Sequence, residues 1–204
     1  MERYAMFHEL LWQQIFELDR QDTAQRAMCK YDLEADSYVI TMLNSEYLVE
    51  LEKRDIFRLQ SASEKVKTGF IEQLCILSYL IKSSQLPPSK KLVQAESLPG
   101  GAFFFRGPHV LPTEKLEDAF GISPTLLYSA IEGLGAEKRD FGDASIELQV
   151  LKRVKFTFIV WAGDDEFSPR ASILFDQTVS EQLPLDALLA SVNLAVDAVI
   201  KSIS

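Results

Sequence analysis

Two short stretches carry the residues best suited to chemistry. Arg106-Gly107-Pro108-His109 offers a permanent cation and an imidazole that titrates near neutrality, on a backbone that glycine and proline keep irregular. Gly163-Asp164-Asp165-Glu166-Phe167 sets three consecutive carboxylates on a turn, where oxygen ligands suit a hard divalent cation. Phe104, Phe105 and Trp161 stand beside these stretches as apolar walls, and Asp176 closes the apolar run that follows. Folded together, these residues form one pocket with apolar walls and few convergent polar groups, the usual form of a small-ligand site. That reading requires the segment around residue 106 to come within about 8 Å of the acidic loop, so that both touch one ligand. The plainer reading is local. Arg106 then pairs with Asp164 or Glu166, His109 caps a carbonyl, Asp176 caps its own turn, the acidic run is a hairpin loop and the aromatics are core.

The elements that must position these residues follow from periodicity. Residues 144–150, 154–162 and 170–176 read as three consecutive strands, and in the middle one Val154, Phe156, Phe158 and Val160 share a face. An earlier hairpin, 37–43 and 46–52 with Asn44-Ser45 as its turn, is followed by a short strand over 55–59. Tyr4, Phe7, Leu11, Ile15 and Leu18 mark an amphipathic helix over 2–18, and a second helical piece spans about 23–30. His8, adjacent to apolar positions of the first helix, reads as packed. Ser61-Ala62-Ser63-Glu64 has the form of a capping box, which predicts a helix running from Ser61 to about Ser83. Ser83 to Ser89, with Pro87-Pro88, is linker-like but short. Thr113 to Phe120 and Ser123 to Leu134 read as short helices, and Pro184 opens a final helix with a strong 3.6-residue pattern. The expected fold is a single α+β domain over 1–204, an antiparallel sheet from the 37–59 and 144–176 strands covered by the 61–83 and 184–204 helices. Residues 1–30 are a candidate N-terminal helical lobe.

Composition narrows the function classes. The 204 residues carry a net charge of −9, which argues against nucleic acid as a partner, because phosphate binding needs a dense cationic surface. The basic clusters are Lys90-Lys91 and Lys152-Arg153 with Lys155, and each reads as a solvated turn. No apolar run reaches the roughly 18 residues of a membrane span, and the N-terminal residues lack the pattern of a signal peptide. A cytoplasmic protein is expected. Cys29 and Cys75, far apart, cannot supply a four-thiolate cluster, and with only His8 and His109 a zinc site would have to borrow other ligands. No metal site, phosphate-binding loop, dinucleotide fingerprint or nucleophile elbow is present as a motif. The acidic turn superficially resembles the signature of diguanylate cyclases. Asp164, however, stands where that signature has its second glycine, and no second acidic strand end lies upstream.

A broader resemblance rests on Leu98-Pro99-Gly100-Gly101 through Phe104-Phe105-Arg106-Gly107-Pro108-His109. It continues at Trp161-Ala162-Gly163-Asp164-Asp165-Glu166-Phe167 through Ile173-Leu174-Phe175-Asp176. With Leu77-Ser78-Tyr79-Leu80 and Leu183-Pro184-Leu185-Asp186, these stretches resemble a family known as domain of unknown function 3786, found largely in anaerobic bacteria and archaea. The resemblance runs from about residue 20 to the end. Some members carry an iron–sulfur segment like that of corrinoid iron–sulfur proteins, which implies corrinoid or redox-linked metabolism. Two separated cysteines depart from that pattern.

The leading expectation is therefore an accessory or binding protein that holds a small ligand or cofactor, in its sharpest form a corrinoid or other tetrapyrrole. Its rival is a metal-dependent enzyme with His109 as general acid/base and Asp164, Asp165 and Glu166 on a divalent ion. A third class is a structural subunit of a larger complex, docking through the first helix at Trp12 and Phe16. The residues leave the cofactor and the oligomeric state open.

Overall fold

The computed structural model describes residues 2–61 and 64–203. Helix α1 (Glu2–Glu17) leads into α2 (Arg20–Ala27), which Asp19 caps by accepting the Asp22 N–H at 2.8 Å. The Tyr4 side chain of the expected apolar stripe lies outside what is described. Five strands follow: β1 (Lys30–Asp32), β2 (Ser37–Met42), β3 (Ser45–Glu50), β4 (Asp55–Leu59) and β5 (Lys65–Lys67). The β2–β3 turn is Leu43-Asn44, one residue earlier than expected. Both residues take the left-handed conformation, φ 48° and 58°, that a two-residue hairpin requires.

Helix α3 (Phe70–Lys82) starts later than the sequence predicts. Ala62 and Ser63 of the expected capping box lie outside the described residues. Around them the Gln60 N–H donates to the Glu64 carbonyl at 2.9 Å and closes a hairpin, so that Lys65-Val66-Lys67 pairs with β4. The cap falls instead at Gly69, whose N–H donates to the Glu72 carboxylate at 3.0 Å. Local hydrogen-bonding potential at Ser61 lost to strand pairing that buries Ile56 and Thr68 beneath the hairpin.

From Ser83 the chain crosses the molecule pinned at both ends rather than as a free linker. Gln182 accepts the Ser84 N–H at 3.0 Å, and Asp176 accepts from Ser89 and Lys90. Strand β6 (Leu92–Val93), α4 (Gly101–Phe104), α5 (Thr113–Phe120) and α6 (Ser129–Leu134) follow. Residues 124–128, expected within one helix with α6, form a separate 3₁₀ turn. Strands β7 (Glu137–Arg139), β8 (Ala144–Leu151), β9 (Val154–Trp161) and β10 (Arg170–Asp176) precede the final helix α7 (Leu185–Lys201).

The strands make one antiparallel sheet in the order β5-β4-β3-β2-β8-β9-β10-β6, with β1 on β2 and β7 on β8. It consists of two meanders joined at one rung, Met42 opposite Leu151, where the Leu43 N–H donates to the Val150 carbonyl at 2.9 Å. The α+β class read from the sequence holds. On the C-terminal meander Ile146, Leu148, Phe156, Phe158, Ile173 and Phe175 share one buried face. Those side chains belong to the same buried cluster as Leu77 and Leu80 of α3 and Val192 and Val196 of α7. Trp12 and Ile15 of α1 join it too. His8 is packed: its Nε2 lies 2.6 Å from Gln73 Oε1 and takes the Trp12 indole N–H at 3.2 Å.

Candidate functional site

The two stretches singled out in the sequence sit at opposite ends of α5. His109 lies ahead of its first turn, whereas the acidic loop is tied to its last residues by the Gly163 N–H donating to the Gly121 carbonyl at 3.1 Å. Eight helical residues separate the ends by about 12 Å. Among the described residues no hydrogen bond, ion pair or ring contact joins Arg106 or His109 to Asp164, Asp165 or Glu166. Arg106 instead lies 5.7 Å over the Phe103 ring, and His109 stacks on Phe104 at 4.6 Å. Phe104 meets Phe105 edge-on, and Phe105 is buried in the core. Trp161 lies under Arg170, whose guanidinium carbon is 5.7 Å from the ring.

The acidic loop closes on itself. One Asp164 carboxylate oxygen accepts the N–H groups of Glu166 and Phe167 at 2.8 and 2.7 Å, and those bonds hold its pKa below the ordinary carboxylate range. Asp165 and Glu166 point into solvent. Among the described residues no three His, Cys, Asp or Glu side chains converge where they could hold a metal ion. The two thiols are not poised for reaction either: burial pushes both Cys29 and Cys75 up to about 12.

Asp176 leads to a different place. Its carboxylate accepts five hydrogen bonds, from the N–H and hydroxyl of both Ser89 and Thr178 and from the Lys90 N–H, at 2.6–3.0 Å. Partial burial works to raise its pKa, and the bonds from Thr178 and Ser89 outweigh it, so the group stays well ionised. Asp176 thereby fixes the backbone of residues 89–91 against the end of β10. Lys90, in the left-handed conformation at φ 62°, stands at the rim of a hollow of about 470 Å³.

That hollow lies on the face of the C-terminal meander opposite the core. Strand alternation puts Lys155 and Thr157 of β9 there, and the register sets Glu147 of β8 opposite Thr157. Thr157 is 1% exposed and forms part of the floor. Phe141, Leu92 and Pro88 supply apolar wall, while Lys152 and Arg153 come from the tip of the β8–β9 hairpin. A bulge between Gln149 and Leu151 sets that tip, because the extra residue lets Val150 and Leu151 both be buried before the turn.

Cations outnumber carboxylates here, five to two, in a chain of net charge −9. Arg139 and Lys155 share one oxygen of Glu147, at 2.8 and 2.7 Å, and Arg139 also reaches Glu137 at 3.0 Å. Arg153 donates to the Arg26 carbonyl at 2.6 Å and meets no carboxylate among the described residues. The ammonium groups of Lys90 and Lys152 have no hydrogen-bond or ion-pair partner among the described residues. The sequence showed Lys90-Lys91 and Lys152-Arg153-Lys155 as separate basic turns. What pointed further was the polar interruption of two apolar strands, by Glu147 in β8 and by Lys155 and Thr157 in β9.

A second hollow of about 430 Å³ separates β3–β5 from the end of α7, beside Tyr47, Arg58 and Lys201. Much of its charge is already matched: Lys67 pairs with Asp55, Asp197 with Lys115, and the Tyr47 hydroxyl donates to Glu72.

The sequence pattern described as "Domain of unknown function (DUF3786)" matches residues 19–198, so the chain belongs to that family. The match begins after α1 and includes every strand around the hollow. No curated protein and no solved structure matches the chain.

Proposed function

We propose that this member of the DUF3786 family is a small-ligand-binding protein whose ligand lies in the hollow on the open face of β7–β10. The observation that carries the reading is the hollow itself. It is about 470 Å³, within the range of small-molecule sites, with a buried floor, one apolar wall and several convergent polar groups. A space of that size takes one small molecule, and the overall charge opposes an extended nucleic-acid surface. Phe104, Phe105, Arg106 and His109 form a separate stacked corner and are not needed for this site.

The test uses the amphipathic, singly charged fluorophore 1-anilinonaphthalene-8-sulfonate with the native protein and with Phe141→Asp, which places a carboxylate on the apolar wall. We expect stoichiometric binding with enhanced emission by the native protein and loss of that binding in the variant. Equal emission from both proteins, or none from either, overturns the proposal. Haem and cobalamin form further arms, with a shifted absorption band supporting the tetrapyrrole version. Unchanged spectra with both remove that version and leave the hollow in place.

A further inference from the structure

The hollow is overcharged for an empty one, and its cations differ in how they are held. Arg139 and Lys155 are fixed on a single carboxylate oxygen, so one negative charge is shared between two positive ones. Lys90 and Lys152 approach from two sides, the first from the segment ahead of β6 and the second from the β8–β9 hairpin tip. Like charges gathered in a concave place repel one another, and an entering anion removes that repulsion. The backbone adds to the argument at Lys90. Glycine takes a left-handed conformation without strain, whereas this position holds a lysine there, with its N–H clamped at 2.7 Å by Asp176.

Resting on the ligand-binding role proposed for this hollow, we infer that its ligand carries a polyanionic head group of two or more negative charges. That head group sits between the ammonium groups of Lys90 and Lys152, above the Arg139–Glu147–Lys155 triad. Phosphate esters and polycarboxylates share this chemistry. Both lysines are exposed and neither ammonium has a partner among the described residues, so each side chain is removed with the fold expected to stay intact.

Calorimetric titration of the full chain with inorganic pyrophosphate, citrate and acetate tests the inference. Pyrophosphate or citrate binds measurably while acetate does not, and whichever of the two binds more tightly identifies the source of the charge. Lys90→Ala and Lys152→Ala each weaken that binding by roughly fivefold, with unaltered melting curves, and raised salt weakens it further. Glu147→Gln, which removes the competing carboxylate, strengthens it severalfold. The inference falls if both lysine variants bind pyrophosphate and citrate like the native chain, or if acetate binds as well as they do. The fluorophore separates the two failures: if it binds the hollow and no polyanion does, the head-group assignment alone is wrong. If neither binds, the ligand-binding reading fails with it.

Discussion

The two meanders of the sheet carry similar charged residues and dispose of them differently. On the N-terminal one, Lys53 and Lys65 lie on Glu50 at 3.2 and 2.8 Å, Lys67 on Asp55 at 2.7 Å, and Arg54 on Glu9. The bond from Lys65 holds the Glu50 carboxyl below its ordinary range. Each of these four cations has a carboxylate. On the C-terminal meander two cations share one oxygen, the side chain of a third donates to a carbonyl, the ammonium groups of two have no partner among the described residues, and all five surround a hollow. Paired surface charges contribute little to stability and ask for nothing further. Around the C-terminal hollow the cations outnumber the carboxylates, and the ligand proposal rests on that difference.

The comparison is sharpened first where the halves are most alike, in their common core. Phe158→Ala removes a fully buried ring from the C-terminal meander and should cost about 3–5 kcal/mol. Trp12 and Trp161 are the two tryptophans, one in α1 and one in β9. Urea unfolding followed in Trp12→Phe and in Trp161→Phe should report one shared transition, before and after the Phe158 change. Separate midpoints would make the meanders independent units and break the comparison at its base.

Asp176→Asn comes next, at about 2 kcal/mol, because five donors lose a charged acceptor. The sign with pH is set by its lowered pKa: the contribution is full above the unfolded value of about 4 and is lost as pH falls through the lower folded value. Urea midpoints of the native chain and the variant should therefore differ at pH 7 and draw together below pH 4. Glu147→Gln should cost about 1 kcal/mol, since it leaves Arg139 and Lys155 facing each other. Added pyrophosphate should restore the melting temperature of that variant. The smallest effect is expected at Lys53→Ala, where the side chain is 65% exposed. A change above about 0.5 kcal/mol there would mean that the open-surface pairs matter more than their exposure allows.

Much of the fold was legible in the chain and the hollow was not, for one physical reason. Strand and helix identity is written in local periodicity, as the alternation of Val154, Phe156, Phe158 and Val160 shows. Where two local signals competed, as at Ser61 to Glu64, the one backed by long-range pairing won, and α3 began at Phe70. The hollow is set by register. Glu147 meets Lys155 and Arg139 through strand pairing across β7, β8 and β9, and Lys90 arrives only because Asp176 holds the chain beside β10. No stretch of sequence contains that arrangement. The stretches at 106–109 and 163–167 were conspicuous for the opposite reason, since their polar groups are adjacent along the chain, and α5 keeps the two apart.

The single rung between the meanders makes one amide a reporter. Deuterium uptake at Leu43, whose N–H crosses the seam to Val150, measures how often the halves part company while each stays intact. The hairpin tip bearing Lys152 and Arg153 lies immediately beyond that seam. A molecule gripping the tip therefore slows exchange at a site it never touches, and occupancy of the hollow becomes readable from the middle of the sheet.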